Sequence, residues 1–65
     1  MKLKNRLKSI RYKHEMKQNE FADYLGLAYS TYNTYENQTR QPSLTVALQI
    51  ANKIQCDVKE IFYLE

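Results

Sequence analysis

One glycine, Gly26, and one proline, Pro42, are the only residues of their types in a chain of 65. Turn-rich all-β folds and disordered chains use both residues far more often, so the chain favours a compact all-α fold. The single cysteine excludes an internal disulfide, and a domain of this size is marginally stable without a staple or a partner. We therefore expect one helical domain over residues 1–65, stabilised by packing or by oligomerisation.

The spacing of apolar residues predicts five helices. They span residues 6–14, 18–25, 29–36 and 44–54, and a short fifth helix begins at Asp57. The fourth has the strongest periodicity, with apolar residues at Leu44, Ala47, Leu48, Ala51 and Ile54. Leu3 and the segment 62–65 have β propensity but are too short to decide a strand, so a short terminal β-pairing stays open.

The charge is distributed unevenly along the chain. Residues 1–17 contain seven basic residues and one acidic residue, a net charge of +6, whereas the remainder has three basic and six acidic residues, a net charge of −3. A basic end on a mildly acidic body orients a protein toward a polyanion such as nucleic acid. A solvated helix face is the alternative explanation.

Residues 18–37 have the spacing of a helix-turn-helix unit. Two short helices that cross steeply need a small residue at the crossing, which Ala22 supplies, and a left-handed residue at the turn, which Gly26 supplies. Apolar residues must fill the wedge between the helices, and they are Phe21, Leu25, Leu27, Tyr32 and Tyr35. Because the whole set is present, the motif is specific.

From Leu7 to Phe62 the chain resembles the Xre family, the Cro- and phage-repressor-type helix-turn-helix regulators. The resemblance depends on Arg11, Phe21-Ala22, Leu25-Gly26, Tyr35-Glu36-Asn37, Pro42-Ser43-Leu44 and Glu60-Ile61-Phe62, among others. It implies a five-helix, lambda-repressor-like DNA-binding domain. In length the chain is similar to the smallest stand-alone members, which have no sensing domain attached.

Five positions depart from the family pattern. The family usually has glycine at Glu15, Gln38 and Gln55, so we expect Asn37 or Gln38 to adopt a positive φ. It often has a hydroxyl residue at two helix starts, where Lys17 and Ala28 stand here and cannot cap through a hydroxyl. These departures bear on loop geometry more than on function.

The second helix of such a motif, which is the third helix of this chain (residues 29–36), enters the major groove with its exposed residues against base edges. Since we assign Tyr32 and Tyr35 to the core, the remaining residues of that helix are expected to face outward. Asparagine can pair with adenine through both amide atoms, and no Arg or Lys lies in residues 29–36 to contact guanine, so we expect A·T contacts and shape readout. The resemblance adds Gln18, beside this helix. The candidate base-contacting residues are Gln18, Tyr29, Ser30, Asn33 and Thr34.

Phosphate contacts are expected on both sides of the helix that enters the groove. The free backbone amides at residue 18, where the second helix of the chain begins, favour an anion, and Lys17 adds positive charge there. The resemblance implies that the loop after the third helix follows the DNA backbone and that Arg11 pairs with Glu36 and points at a phosphate. The candidate phosphate-contacting residues are Arg11, Lys17, Asn37, Thr39 and Arg40.

The apolar C-terminal segment predicts a homodimer. Members of the family form dimers whose two-fold axis matches half-sites about 34 Å apart. The dimerisation region is placed at residues 57–65, with Ile61, Phe62, Tyr63 and Leu64 at the interface.

The leading functional hypothesis is a sequence-specific double-stranded DNA-binding transcription regulator, a repressor that binds a palindromic operator. The alternatives are an antitoxin of a toxin–antitoxin pair and a protein-interaction module that has lost DNA binding. An enzyme is not expected, because no nucleophile–base pair or phosphate-binding loop is present.

No residues in the sequence predict a metal, a cofactor, a small-molecule ligand or a membrane span. His14 has no second ligand at helical spacing. The resemblance implies a small apolar residue at position 56, so we expect Cys56 to be a buried, inert thiol. Since no apolar run follows the basic start, we expect a cytoplasmic protein.

Overall fold

A computed structural model describes all residues, Met1–Glu65, and contains five helices and two short strands. In chain order they are β1 (Leu3–Asn5), α1 (Leu7–Lys13), α2 (Gln18–Leu25), α3 (Tyr29–Glu36), α4 (Leu44–Ile54), α5 (Val58–Ile61) and β2 (Phe62–Leu64). The five predicted helices are confirmed. The bounds of α2, α3 and α4 are those predicted, α1 is one residue shorter at each end, and α5 begins one residue later. The architecture is the mostly helical one expected for a helix-turn-helix domain.

The two strands form the terminal β-pairing that the sequence left open. They are antiparallel, with Leu3 opposite Leu64 and Asn5 opposite Phe62. Lys2 and Glu65 exchange both backbone hydrogen bonds just beyond the strands, at 2.9 and 2.8 Å. The pairing therefore closes the first and last segments of the domain onto each other.

The core is formed by side chains from all five helices and from the start of β2. Ala22 is fully buried where α2 meets α3, which explains why a small residue is needed there. Phe21 and Tyr32 pack edge to face, with ring centroids 5.7 Å apart. The largest fully buried side chains are Tyr32, Phe21, Leu7, Ile50 and Ile61.

The apolar periodicity of α4 predicted its buried face only in part. Ala47 and Ala51 are buried, and Ile50 joins them in the core. Leu44 and Leu48 instead remain 72% and 51% exposed. The spacing places these two leucines one turn apart on a flank of α4 that no other element covers, so the periodicity marks an apolar face without showing that the domain itself buries it.

Four residues adopt the left-handed conformation at turns. Gly26 ends α2 with φ 75°, and the non-glycine residues Glu15, Gln38 and Gln55 have φ of 56°, 64° and 65°. Gln38, not Asn37, is therefore the residue with positive φ after α3. A Cβ added at Gly26 would meet no atom within 4 Å, so the glycine is required for its backbone conformation and not for space.

The helix starts differ in how they are capped. The hydroxyl of Ser43 accepts the N–H of Val46 at 3.2 Å, as serine commonly does at the N-terminus of a helix. Neither Lys17 nor Ala28 caps a helix through its side chain. At α2 the Glu20 carboxylate instead accepts the backbone N–H of Lys17 at 2.8 Å, which satisfies one donor at the helix start.

No helix of the domain combines the length and apolarity needed to cross a membrane. No group of three or more His, Cys, Asp or Glu side chains is arranged to hold a metal ion.

Candidate nucleic-acid interface

A buried ion pair joins α1 to the end of α3. Nε of Arg11 donates to Oε2 of Glu36 at 2.9 Å, and Nη2 donates to Oε1 at 3.0 Å. The two side chains are only 11% and 3% exposed. Nη1 of Arg11 also donates to the carbonyl of Met16 at 3.1 Å. The predicted pair is confirmed as a bidentate contact that fixes α3 to the rest of the domain.

Four hydrogen bonds saturate the Glu36 carboxylate. Besides the two from Arg11, Oε1 accepts a bond from Gln18 Nε2 at 2.9 Å and Oε2 accepts one from the Tyr32 hydroxyl. Burial acts to raise the pKa of Glu36, but the bonds from Arg11, Tyr32 and Gln18 outweigh it and the pKa is lowered. The hydrogen bond to Glu36 raises the pKa of Arg11. Both groups therefore stay ionised at neutral pH.

The accessible side of α3 contains the four residues predicted to face outward. Tyr29 and Ser30 are exposed, and Asn33 and Thr34 are half-buried, whereas Tyr32 and Tyr35 are in the core. The hydroxyl of Thr34 donates to the carbonyl of Thr31 at 2.7 Å, so its proton is used within the helix. None of the accessible residues of α3 is charged.

Gln18 connects the start of α2 to the accessible side of α3. Its Oε1 accepts a hydrogen bond from the Tyr29 hydroxyl at 3.0 Å. Its Nε2 donates to Oδ1 of Asn33 at 3.2 Å as well as to Glu36. The structure thus brings three of the predicted base-contacting side chains into one hydrogen-bonded row, anchored on the buried ion pair.

The loop after α3 exposes all three of its predicted phosphate-contacting residues, Asn37, Thr39 and Arg40. The carbonyl of Thr34 accepts backbone N–H groups from Thr39 and Arg40, at 3.0 and 3.3 Å, and so folds the loop back onto the end of the helix. Nδ2 of Asn37 lies 3.4 Å from Oδ1 of Asn33. The loop therefore continues the same surface as α3.

The two basic residues predicted to contact phosphate before α3, Lys17 and Arg11, differ in exposure and in hydrogen bonding. Lys17 is exposed at the start of α2, with no cap bond from its side chain. Arg11 uses three of the five N–H donors of its guanidinium within the domain, so two have no partner there.

Asn5 anchors the end of α3 and the loop that follows it, a role that the sequence patterns did not predict. Its Nδ2 donates to the carbonyl of Tyr35 and to Oε1 of Gln41, both at 2.8 Å. Its Oδ1 accepts the N–H of Leu7 at 3.1 Å. Gln38 in turn bonds the backbone of Asn5 through both of its amide atoms. Asn5 lies between Lys4 and Arg6 and belongs to no periodic pattern, so the sequence did not predict these contacts. The one available signal was Gln38, which stands where the family usually has glycine and so has a side chain that could make contacts.

The predicted dimer segment is divided between the core and the surface. Ile61 and Phe62 are buried within the domain's own core, so they are not accessible to a partner. Tyr63 is half-buried, and the guanidinium carbon of Arg6 lies 4.1 Å from its ring centroid. Leu64 is 63% exposed. The accessible part of the segment is therefore its last two apolar residues.

His14 and Cys56 lie outside this surface. Nδ1 of His14 is 3.0 Å from the carbonyl of Ile10, and its ring is 5.5 Å from that of Phe21. Cys56 is half-buried, and burial together with the Glu60 carboxylate raises the pKa of its thiol. The thiol is therefore protonated at neutral pH, as expected of an inert side chain.

Comparison with known families agrees with this geometry. A family model described as helix-turn-helix matches residues 7–61 of the 65-residue chain. None of the curated proteins matches it. The matched range includes α1 through α5, and so the ion pair, the Gln18 row and the loop after α3. The chain belongs to the Cro/C1-type, Xre-like helix-turn-helix family of DNA-binding regulators.

Proposed function

We propose that the protein is a sequence-specific transcription regulator, a repressor that binds a palindromic DNA operator as a homodimer. The observation that supports this most is the hydrogen-bonded row of Gln18, Tyr29 and Asn33 on the accessible side of α3. Side chains already held in place lose little entropy on binding and can discriminate hydrogen-bonding groups on base edges.

Phosphate contacts on both sides of α3 would position it in the major groove. On one side is the start of α2, where free backbone N–H groups and the ammonium of Lys17 favour an anion. On the other side is the loop with Asn37, Thr39 and Arg40. Backbone contacts of this kind supply orientation and affinity without selecting a sequence.

A second copy of the chain is the partner that we infer for binding to two half-sites. Leu3 and Leu64 face each other across the two strands, and both are exposed. Pairs of exposed apolar side chains on a domain of 65 residues favour burial against a partner. The proposed interface consists of Leu64 and Tyr63 with Leu3 beside them, and Ile61 and Phe62 support it from within each copy.

Selection of binding sites from random double-stranded DNA by the purified protein tests the proposal. The expected result is one enriched sequence made of two inverted half-sites whose centres are about one helical turn, 34 Å, apart. The affinity for that site should fall steeply as salt rises, because phosphate contacts release counterions. Folded protein that binds no duplex DNA at low salt would overturn the proposal.

An antitoxin is the second candidate, and the exposed flank of α4 favours it. Leu44 and Leu48 form an apolar pair that the domain does not cover, as a protein partner would require. A neighbouring toxin gene whose product is neutralised by co-expression of this chain would support this function. Loss of neutralisation in Leu48→Glu, with DNA binding kept, would assign that flank to the toxin.

A further inference from the structure

The amide of Gln18 can take only one orientation beside the buried carboxylate. Its Nε2 donates one hydrogen to Glu36 at 2.9 Å and the other to Asn33 at 3.2 Å. The reversed orientation would place Oε1 against an ionised carboxylate whose other bonds hold it in place, so two acceptors would face each other. Glu36 therefore fixes which end of the Gln18 amide points toward Tyr29.

This orientation determines where the hydroxyl proton of Tyr29 points. Because Oε1 of Gln18 has no hydrogen, the Tyr29 hydroxyl must be the donor across the 3.0 Å between them. The proton is thus directed into the protein. The oxygen of Tyr29 keeps its lone pairs for a ligand, so the exposed group is an acceptor.

The same orientation of the Gln18 amide determines whether Asn33 exposes a hydrogen-bond donor or an acceptor. Its Oδ1 accepts the second hydrogen of Gln18 Nε2, and Nδ2 of Asn37 lies on the same oxygen at 3.4 Å. Both lone pairs of Oδ1 are directed at protein donors. Nδ2 of Asn33 has no partner within the domain, so the exposed group at this position is a pair of N–H donors.

We propose that Glu36 is a positioning residue for base recognition, which holds Asn33 as a donor and Tyr29 as an acceptor through Gln18. This inference rests on the proposed DNA-binding function and goes beyond it, because it assigns a hydrogen-bonding polarity to each contact. Two N–H donors on Asn33 match O6 and N7 of guanine, which present two neighbouring acceptors. The acceptor on Tyr29 matches N6 of adenine or N4 of cytosine.

This assignment differs from the pairing of asparagine with adenine that the sequence suggested. Pairing with adenine through both amide atoms requires a free Oδ1 to accept from N6, and here that oxygen is occupied. The buried charge of Glu36, which never touches DNA in this arrangement, would thus change which base the exposed end of Asn33 selects.

Site selection with matched variants tests the assignment. Asn33→Ala identifies the base pair that faces residue 33, because the selected site should lose its base preference at that one position and keep it at the others. In the wild-type protein that position should be guanine, favoured about tenfold to a hundredfold over adenine. Asn33→Asp replaces the exposed donor with an acceptor, so the preferred base on that strand should change from guanine to cytosine or adenine.

The role of Glu36 is tested by variants that release Gln18. Glu36→Gln should lose preference at both positions, those facing Tyr29 and Asn33, while affinity for unselected DNA changes less than about threefold. Gln18→Met leaves the Arg11–Glu36 pair intact and keeps the test possible if Glu36→Gln does not fold. It should also lose preference at both positions. Asp23→Asn is the control, since it removes the charge of an exposed carboxylate elsewhere on α2 and should leave the selected site unchanged.

The outcomes separate this inference from the proposed function. Adenine at the position facing Asn33 in the wild-type site would overturn the assigned polarity. Unchanged base preference in Gln18→Met would overturn the role of Glu36. In either case the protein would remain a sequence-specific DNA-binding protein, whereas absence of any selected site would remove the proposed function itself.

Discussion

The side-chain amide of Gln38 binds the backbone of Asn5 as a neighbouring β-strand would. Its Oε1 accepts the N–H of Asn5 at 3.1 Å, and its Nε2 donates to the carbonyl of Asn5 at 2.8 Å. In an antiparallel ribbon whose Lys2 and Glu65 form a hydrogen-bonded pair, the backbone of Asn5 points away from β2. Gln38 thus covers the outer edge of β1 and ties the loop after α3 to the strand pair.

The left-handed glutamines should respond oppositely to glycine. Gln55 has a left-handed backbone conformation, and its side chain makes no hydrogen bond within the domain. Gln55→Gly removes the steric cost of that conformation, so we expect the free energy of unfolding to rise by about 0.5–1 kcal/mol. Gln38→Gly removes the same cost but leaves the backbone of Asn5 without partners, so we expect a net loss of about 1 kcal/mol. Urea unfolding of both variants measures the free energies. Equal stabilisation of the two would show that the Gln38 bonds contribute nothing.

The Arg11–Glu36 pair should make stability depend on acidic pH. Because the pKa of Glu36 is lowered by folding, the unfolded chain binds the proton more readily. The contribution of the pair is therefore complete above the ordinary glutamate value of 4.5 and is lost as pH falls through the lowered pKa. NMR titration of the Glu36 carboxyl carbon should give a midpoint below 4.5. A midpoint above that value would show that burial outweighs the hydrogen bonds.

Removal of one partner of the pair should be strongly destabilising. Arg11→Met leaves the buried Glu36 carboxylate without its counter-charge, for which the expected loss is about 3–5 kcal/mol of unfolding free energy. Thermal unfolding followed by circular dichroism at neutral pH measures the loss. Arg6→Met, which removes a guanidinium from the surface beside Tyr63, is the matched control and should lose less than about 1 kcal/mol.

The proposed dimer should depend on Leu64 and not on Leu44. Both leucines are exposed, 63% and 72%, so glutamate at either position should leave the fold of one copy intact. Leu64→Glu places two like charges in the proposed interface, and sedimentation should then show a monomer. Leu44→Glu should leave the mass unchanged. The reverse pattern would move the interface to the flank of α4.

Two side chains should account for part of the salt dependence of DNA binding. If Lys17 and Arg40 each neutralise one phosphate, replacing either with alanine should reduce the slope of log K against log salt by about 0.9. Fluorescence anisotropy with one DNA duplex at several salt concentrations measures the slope. Lys53→Ala, in α4 with Nζ 5.1 Å from the Tyr24 ring, is the control and should leave the slope unchanged.

The sequence determined the helices and the turn because these follow from local patterns. The small residue at 22, the glycine at 26 and the apolar spacing between them specify the helix-turn-helix without knowledge of distant contacts. The Arg11–Glu36 pair followed from the family pattern, and the structure confirmed it.

The tertiary structure alone decided how the polar side chains are paired and which apolar ones are covered. Asn5 and Gln38 are 33 residues apart and meet only after the chain has folded. Periodicity could not show that Leu48 stays exposed while Ile50 is buried, since burial depends on which element packs against each face. The direction of the Gln18 amide likewise depends on a carboxylate 18 residues away, because hydrogen-bonding polarity is a property of contacts and not of spacing.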